Sequence, residues 1–193
     1  MDNDATWVAE RQWLIDFMRR GSPLTSEAER PRVQRALDRW QAEVPDSIER
    51  FAVHEAGHAV VAHALGWTVE FVEPDLPDGS GGGAMTHQGQ LERDEWELFV
   101  EMATVAVAGH VAEEIAFGLA LPFEVMELRD RAWEEHGVGD DQLGALVEHA
   151  ETQARTILTA RWETVERLAQ AQIARGRTEG NALAEILTTR KGE

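Results

Sequence analysis

The chain has 193 residues, enough for one domain with its own core or for one domain with an N-terminal extension. It has no cysteine, which excludes disulfides, thiolate metal sites and cysteine nucleophiles, and no tyrosine, which excludes a tyrosine oxyanion donor. A net charge of −18 argues against partners such as nucleic acids and anionic membranes. The sequence has neither an apolar run of membrane-spanning length nor a basic start followed by an apolar region, so it predicts a soluble, cytoplasmic protein.

Two amphipathic helices are predicted at the start of the chain. The first covers residues 5–19, where aromatic and aliphatic side chains recur among charges. The second begins at a capping residue, Thr25 or Ser26, and ends near Glu43. Neither helix carries a chemical motif, so residues 1–45 are predicted to be a two-helix N-terminal extension.

The third predicted helix carries the motif on which the functional prediction depends. His54 and His58 are four residues apart, so on a helix capped by Asp46 or Ser47 they lie on one face. Two imidazoles at this spacing can bind Zn²⁺, which accepts nitrogen and carboxylate ligands and, when catalytic, keeps one position for water. Glu55 is then the general base for that water and the acid for the leaving amine. The alternative is a pair of buried, hydrogen-bonded histidines beside a solvated Glu55.

A β-hairpin is predicted after this helix. Residues Trp67–Glu73 alternate as a strand does, and Ala84–Gln88 can return as a second strand. The glycine-rich segment Asp78–Gly83 lacks the Lys-Ser/Thr ending of a phosphate-binding loop, so it is interpreted as the hairpin tip. An exposed strand of this kind can hold an extended peptide through main-chain hydrogen bonds.

The most apolar helix is predicted at residues 94–117. It is rich in alanine and glycine and apolar on nearly every face, which is typical of a central helix packed closely by others. His110, Glu113 and Glu114 stand out near its end, because ionisable groups are rarely buried without partners. Glu113 could orient a metal ligand or contact the metal itself, and the alternative is that these residues lie where the helix meets solvent.

Three further helices are predicted in the last third of the chain. A short one covers approximately residues 123–135, and a long one follows Gly139 and continues beyond residue 165. A short final helix contains Leu183 and Leu187. At the start of the long helix, one of Asp140 and Asp141 is interpreted as a helix cap, and the other could reach the metal.

Three stretches, in the same order, resemble the zinc peptidase domain of the FtsH-type AAA+ proteases. Val53-His-Glu-Ala-Gly-His-Ala-Val-Val61 resembles the metal-binding helix of that family. Val107–Gly118 resembles its central helix, with His110 where the family usually has arginine. Gly139-Asp-Asp-Gln-Leu-Gly-Ala-Leu146 resembles the segment that bears its third zinc ligand. The likeness covers approximately residues 47–190.

The resemblance implies roles for individual residues. His54, His58 and Asp141 would be the zinc ligands, with Asp140 or Glu113 as alternatives to Asp141, and Glu55 would be the catalytic base. It implies a mainly α fold: a helical zinc-peptidase domain at 46–193 with a small β-hairpin, preceded by the two-helix extension. Three histidines are left as possible oxyanion donors: His87, His110 and His136.

The resemblance also implies the class of partner. This sequence contains no ATP-binding module and no membrane anchor, so we expect it to cleave unfolded or flexible polypeptides, or to use a motor from a separate ATPase or partner protein. The family's peptidase domains form rings, which makes a homo-oligomer a possible arrangement. The functional prediction is a zinc metalloendopeptidase with water on the metal as the nucleophile. The alternatives are a degenerate peptidase fold that binds zinc and a peptide or protein without turnover, and a regulatory peptidase with one specific protein target.

Overall fold

The computed structural model describes residues 3–19, 29–44, 46–74, 82–87 and 94–189, and most of them are helical. The helices are α1 (Asn3–Arg19), α2 (Arg30–Glu43), α3 (Ile48–Ala64), α4 (Glu95–Ala106), α5 (Ala108–Phe117), α6 (Glu124–His136), α7 (Asp140–Ala160), α8 (Trp162–Arg175) and α9 (Gly180–Thr188). The strands are β1 (Thr68–Glu73), β2 (Gly83–His87) and β3 (Thr178–Glu179). The predicted mainly α fold is confirmed. Among these described residues, no helix is long and apolar enough to cross a membrane.

The first compact unit contains residues 1–46 and 121–145. In it, α1 packs against α2 and α6, and α6 is the short helix predicted near residues 123–135. The guanidinium carbon of Arg32 lies 3.6 Å from the centre of the Trp13 ring, a cation–π contact that links α2 to α1. The α2 helix begins at Arg30, and the cap predicted at Thr25 or Ser26 lies outside the described residues. The domain boundary predicted after residue 45 stays a prediction.

The second compact unit contains residues 47–120 and 146–193, and α3 is its centre. This helix packs against α4, α5, α8 and the first two strands. Its inward face carries small side chains with no exposed surface, Ala52, Ala56 and Ala59, which let neighbouring helices approach closely. The buried amide of Gln172 in α8 donates a hydrogen bond to the Ala52 carbonyl at 3.0 Å. The predicted metal-binding helix is therefore held on several sides.

The three strands form an antiparallel sheet in the order β2-β1-β3. The predicted hairpin is confirmed, with Thr68 opposite His87 and Glu73 opposite Gly83. Of its predicted tip, residues 78–83, the first four lie outside the described residues. The pairing of β3 with β1 is a finding that the sequence analysis missed, because a strand of two residues is too short to show any periodicity.

Two helices that were predicted to be continuous are each broken at one residue. Val107 separates α4 from α5, and Arg161, with φ −124° and ψ 21°, separates α7 from α8. Apolar periodicity continues across both breaks, since a single non-helical residue barely changes the pattern.

Candidate metal centre

The histidine pair lies on one face of α3. Ser47 caps this helix, since its hydroxyl oxygen accepts a hydrogen bond from the backbone N–H of Arg50 at 3.2 Å; of the two predicted caps, it is the one observed. The imidazole rings of His54 and His58 have centroids 4.8 Å apart and planes 72° apart. One ligand atom from each lies within 4.8 Å of the other, and both side chains are half-buried. The spacing in the sequence thus produces a close pair of rings.

Hydrogen bonds at Nδ1 determine which nitrogen of each ring can bind a metal. The Nδ1 atom of His58 lies 2.7 Å from the Val105 carbonyl oxygen, which can only accept, so this Nδ1 carries the hydrogen. The Nδ1 atom of His54 lies 2.7 Å from Oε1 of Glu113, whose carboxylate is paired with Arg50 and is likewise an acceptor. In the neutral form of each ring the lone pair is therefore on Nε2, the nitrogen that a metal would bind.

Gly109, in the first turn of α5, lies close to the Nε2 atoms of both rings. A Cβ atom built on Gly109 would lie 2.5 Å from Nε2 of His58, 2.5 Å from Cε1 of His54 and closer still to Nε2 of His54. Both Nε2 atoms therefore lie beside the same residue of α5, and each ring has a hydrogen-bond acceptor at its Nδ1. This donor set fits zinc, for which imidazole nitrogen oriented by an outer hydrogen bond is a common ligand.

Glu113 has both carboxylate oxygens engaged. Oε1 accepts from His54, and Oε2 accepts from the guanidinium of Arg50. This arrangement matches the first of the two roles considered for Glu113, orientation of a ligand, rather than direct contact with a metal. Glu114 beside it forms a separate ion pair with Arg155.

The structure places the other predicted site residues with less detail. Glu55 follows His54 on α3 and is half-buried, a setting in which a carboxylate can exchange protons with a bound water. Asp140 and Asp141 begin α7, as predicted, and their side chains lie outside the described residues. The roles of Glu55 and Asp141 therefore stay predictions.

The other five histidines lie in different environments. His110 is 1% exposed, and its Nε2 lies 3.0 Å from a carboxylate oxygen of Glu151. Its side chain is therefore buried in the core and hydrogen-bonded there. His87 is exposed and pairs with Glu70 across 2.9 Å. His63 is half-buried, and burial, followed by the charge of Arg161, lowers its pKa below the usual 6.5. Two further histidines complete the set, the half-buried His136 and the exposed His149.

Three contributors to the site were missed by sequence reasoning. Arg50 lies one helical turn before His54, so its position on the same face was available from the spacing. Gly109 interrupts an apolar helix, and a glycine there costs about 1 kcal/mol relative to alanine, which is a signal that close packing requires it. The Val105 carbonyl gives no signal in the sequence, because any residue would supply the same oxygen.

The chain was also compared with curated proteins. The chain is similar to the ATP-dependent zinc metalloprotease FtsH 1 of Symbiobacterium thermophilum, with 32% identity over 179 aligned residues. The alignment covers 75% of this chain and 30% of that protein, so the chain spans less than a third of the relative's length. No family model matches the chain. The similarity indicates an FtsH-like peptidase region, in agreement with the resemblance found in the three motifs.

Proposed function

We propose that this chain is a zinc metallopeptidase that hydrolyses internal peptide bonds of unfolded or flexible polypeptides. The observation that carries the proposal is the histidine pair: each ring has an acceptor at Nδ1, both Nε2 atoms lie beside Gly109, and one ligand atom of each ring lies within 4.8 Å of the other. The similarity to a zinc metalloprotease supports the reaction class.

Each residue has a distinct task in the proposed reaction. His54, His58 and Asp141 would hold the zinc ion, and Glu113 would keep the His54 ring in its orientation. When bound, zinc supplies a Lewis acid that lowers the pKa of a water molecule and polarises the scissile carbonyl. Glu55 would take the proton from the attacking water and then give it to the leaving amine.

The first test is the metal content of the purified protein by elemental analysis. We expect zinc near one per chain in the native form and a sharp fall in Asp141→Ala, with circular dichroism to confirm the fold. Matched variants are Asp140→Ala, Glu113→Ala and Glu124→Ala, the last removing a half-buried carboxylate in the first turn of α6. Zinc lost in one of these but kept in Asp141→Ala would reassign the third ligand. Native protein that stays metal-free after addition of zinc would refute the proposal.

The second test separates an enzyme from a zinc-holding binding module. Glu55→Gln should keep zinc and lose hydrolysis of fluorescently labelled casein by about 10²–10⁴-fold, the contribution of a positioned general base. Glu49→Gln, an exposed glutamate on the same helix, should leave hydrolysis unchanged. Zinc without any hydrolysis that depends on Glu55 would favour the binding module. Slow hydrolysis of casein with fast cleavage of one protein from a panel of substrates would favour the regulatory peptidase.

Substrate state and partners follow from the same proposal. We expect casein to be cut and a stably folded protein of similar size to resist, unless an ATPase is added to unfold it. Assembly into a ring stays a prediction, which analytical ultracentrifugation can test. The cytoplasmic location also stays a prediction.

A further inference from the structure

A line of side-chain contacts connects Arg50 to the histidine pair. The guanidinium of Arg50 pairs with one oxygen of Glu113, and the other oxygen accepts from Nδ1 of His54 at 2.7 Å. The side chains of Arg50 and Glu113 are only 13% and 12% exposed. Arg50 belongs to α3 and Glu113 to α5, so the line starts and ends on the helix that bears the metal motif.

We propose that Arg50 is a positioning residue for the metal site and acts through Glu113 on His54. The inference rests on the proposed function, since it requires His54 to bind zinc. Arg50 holds one carboxylate oxygen of Glu113, and this leaves the other oxygen aimed at the imidazole. The guanidinium is a charged donor to a nearly buried carboxylate, and hydrogen bonds of this kind are stronger than neutral ones.

The dependence concerns only one of the two histidines. His58 is oriented by the Val105 carbonyl, which is part of the main chain and needs no side-chain partner. The orientation of His54 depends on a side chain that itself needs a partner, because water has little access to replace the guanidinium. Removal of Arg50 should therefore loosen His54 and leave His58 in place.

The protein offers a matched control at the next residue of α5. Glu114 pairs with Arg155 of α7, so two consecutive glutamates each have an arginine partner from another helix. The Glu113 pair continues to a histidine of the motif, because Oε1 of Glu113 lies 2.7 Å from Nδ1 of His54. A general effect of lost charge or lost packing on α5 should appear in both arginine variants, whereas an effect on the metal should appear in one.

The experiment compares the full chain with Arg50→Gln, Arg50→Lys and Arg155→Gln. Zinc affinity is measured by competition with a chromophoric chelator, and the ligand field is measured from the visible absorption of the Co²⁺ form. We expect Arg50→Gln to bind zinc about tenfold more weakly, the lower end of the range for lost outer partners of a ligand, and to change the Co²⁺ spectrum. Arg50→Lys keeps the charge but not the planar fork and should be intermediate, while Arg155→Gln should match the native protein.

The possible outcomes separate this inference from the proposed function. Native affinity and a native Co²⁺ spectrum in both Arg50 variants would overturn the positioning role while leaving the zinc site intact. An equal loss of affinity in Arg50→Gln and Arg155→Gln would overturn it as well, because the effect would then be general. Native protein that binds neither metal would overturn the proposed function and, with it, this inference. If Arg50→Gln does not fold, Arg50→Lys against Arg155→Gln decides the question.

Discussion

Gly109→Ala introduces a methyl group beside the Nε2 atoms of both imidazoles. Its Cβ would lie 2.5 Å from Nε2 of His58 and 2.5 Å from Cε1 of His54, whereas ordinary contact begins at 3.4 Å. Each ring, or the α5 backbone, must therefore move by about 0.9 Å. The rings cannot withdraw easily, since their Nδ1 atoms are held at 2.7 Å by Glu113 and by the Val105 carbonyl.

A shift of about 0.9 Å should have a large effect on zinc affinity and a small effect on the free energy of unfolding. Metal–ligand distances tolerate roughly 0.2 Å, so we expect Gly109→Ala to weaken zinc binding by more than about 100-fold. Overpacking costs about 1–3 kcal/mol, and replacement of glycine by alanine in a helix returns about 1 kcal/mol. The net change in the free energy of unfolding of the metal-free protein should then be a loss of only about 0–2 kcal/mol.

Two assays distinguish these effects. Chelator competition gives the zinc affinity, and urea unfolding of the metal-free protein gives the free energy of unfolding. Gly144→Ala is the control, because a Cβ at this helical position of α7 meets no atom within 4 Å. It should leave zinc binding unchanged and stabilise the protein by up to about 1 kcal/mol. Native zinc affinity in Gly109→Ala would refute the placement of the zinc-binding Nε2 atoms beside this residue.

Three further substitutions test the packing around the site. In Gly57→Ala a Cβ would lie 2.7 Å from a backbone oxygen of α5. Overpacking of about 1–3 kcal/mol, less about 1 kcal/mol returned by alanine in a helix, should give a net loss of about 0–2 kcal/mol in urea unfolding. A gain of about 1 kcal/mol, as expected for Gly144→Ala, would contradict the close approach of α3 and α5. His110→Ala leaves the Glu151 carboxylate without its imidazole and should cost about 3 kcal/mol by the same assay; a loss below about 1 kcal/mol would mean that solvent replaces the pair. The pKa of His63 is lower in the folded protein than in the unfolded chain, so the unfolded chain binds the proton first as pH falls. This residue therefore lowers the free energy of unfolding as pH falls through 6.5 and has no effect on it well above that pH. His63→Gln should therefore flatten the fall in stability between about pH 7.5 and 5.5, and an unchanged slope would contradict the shift.

Much of the local structure was predictable because its signals are local. The spacing of His54 and His58 requires only a helix, and the cap at Ser47 requires only the residues that follow it. The hairpin strands were recognised from alternation over a few residues. The role of Asp141 as a zinc ligand was inferred from the family resemblance, and the metal content of Asp141→Ala will test it.

Sequence alone determined the chemistry that this chain can offer: two imidazoles and a carboxylate on one helix, without cysteine or tyrosine. Only the tertiary structure decided how those groups are oriented. Glu113 is 59 residues from His54 in the chain, and the Val105 carbonyl is 47 residues from His58. Periodicity shows which face of a helix is apolar, but it does not show which residue of another helix will lie against that face. The acceptors that place both lone pairs on Nε2 are therefore a product of how α4 and α5 pack on α3.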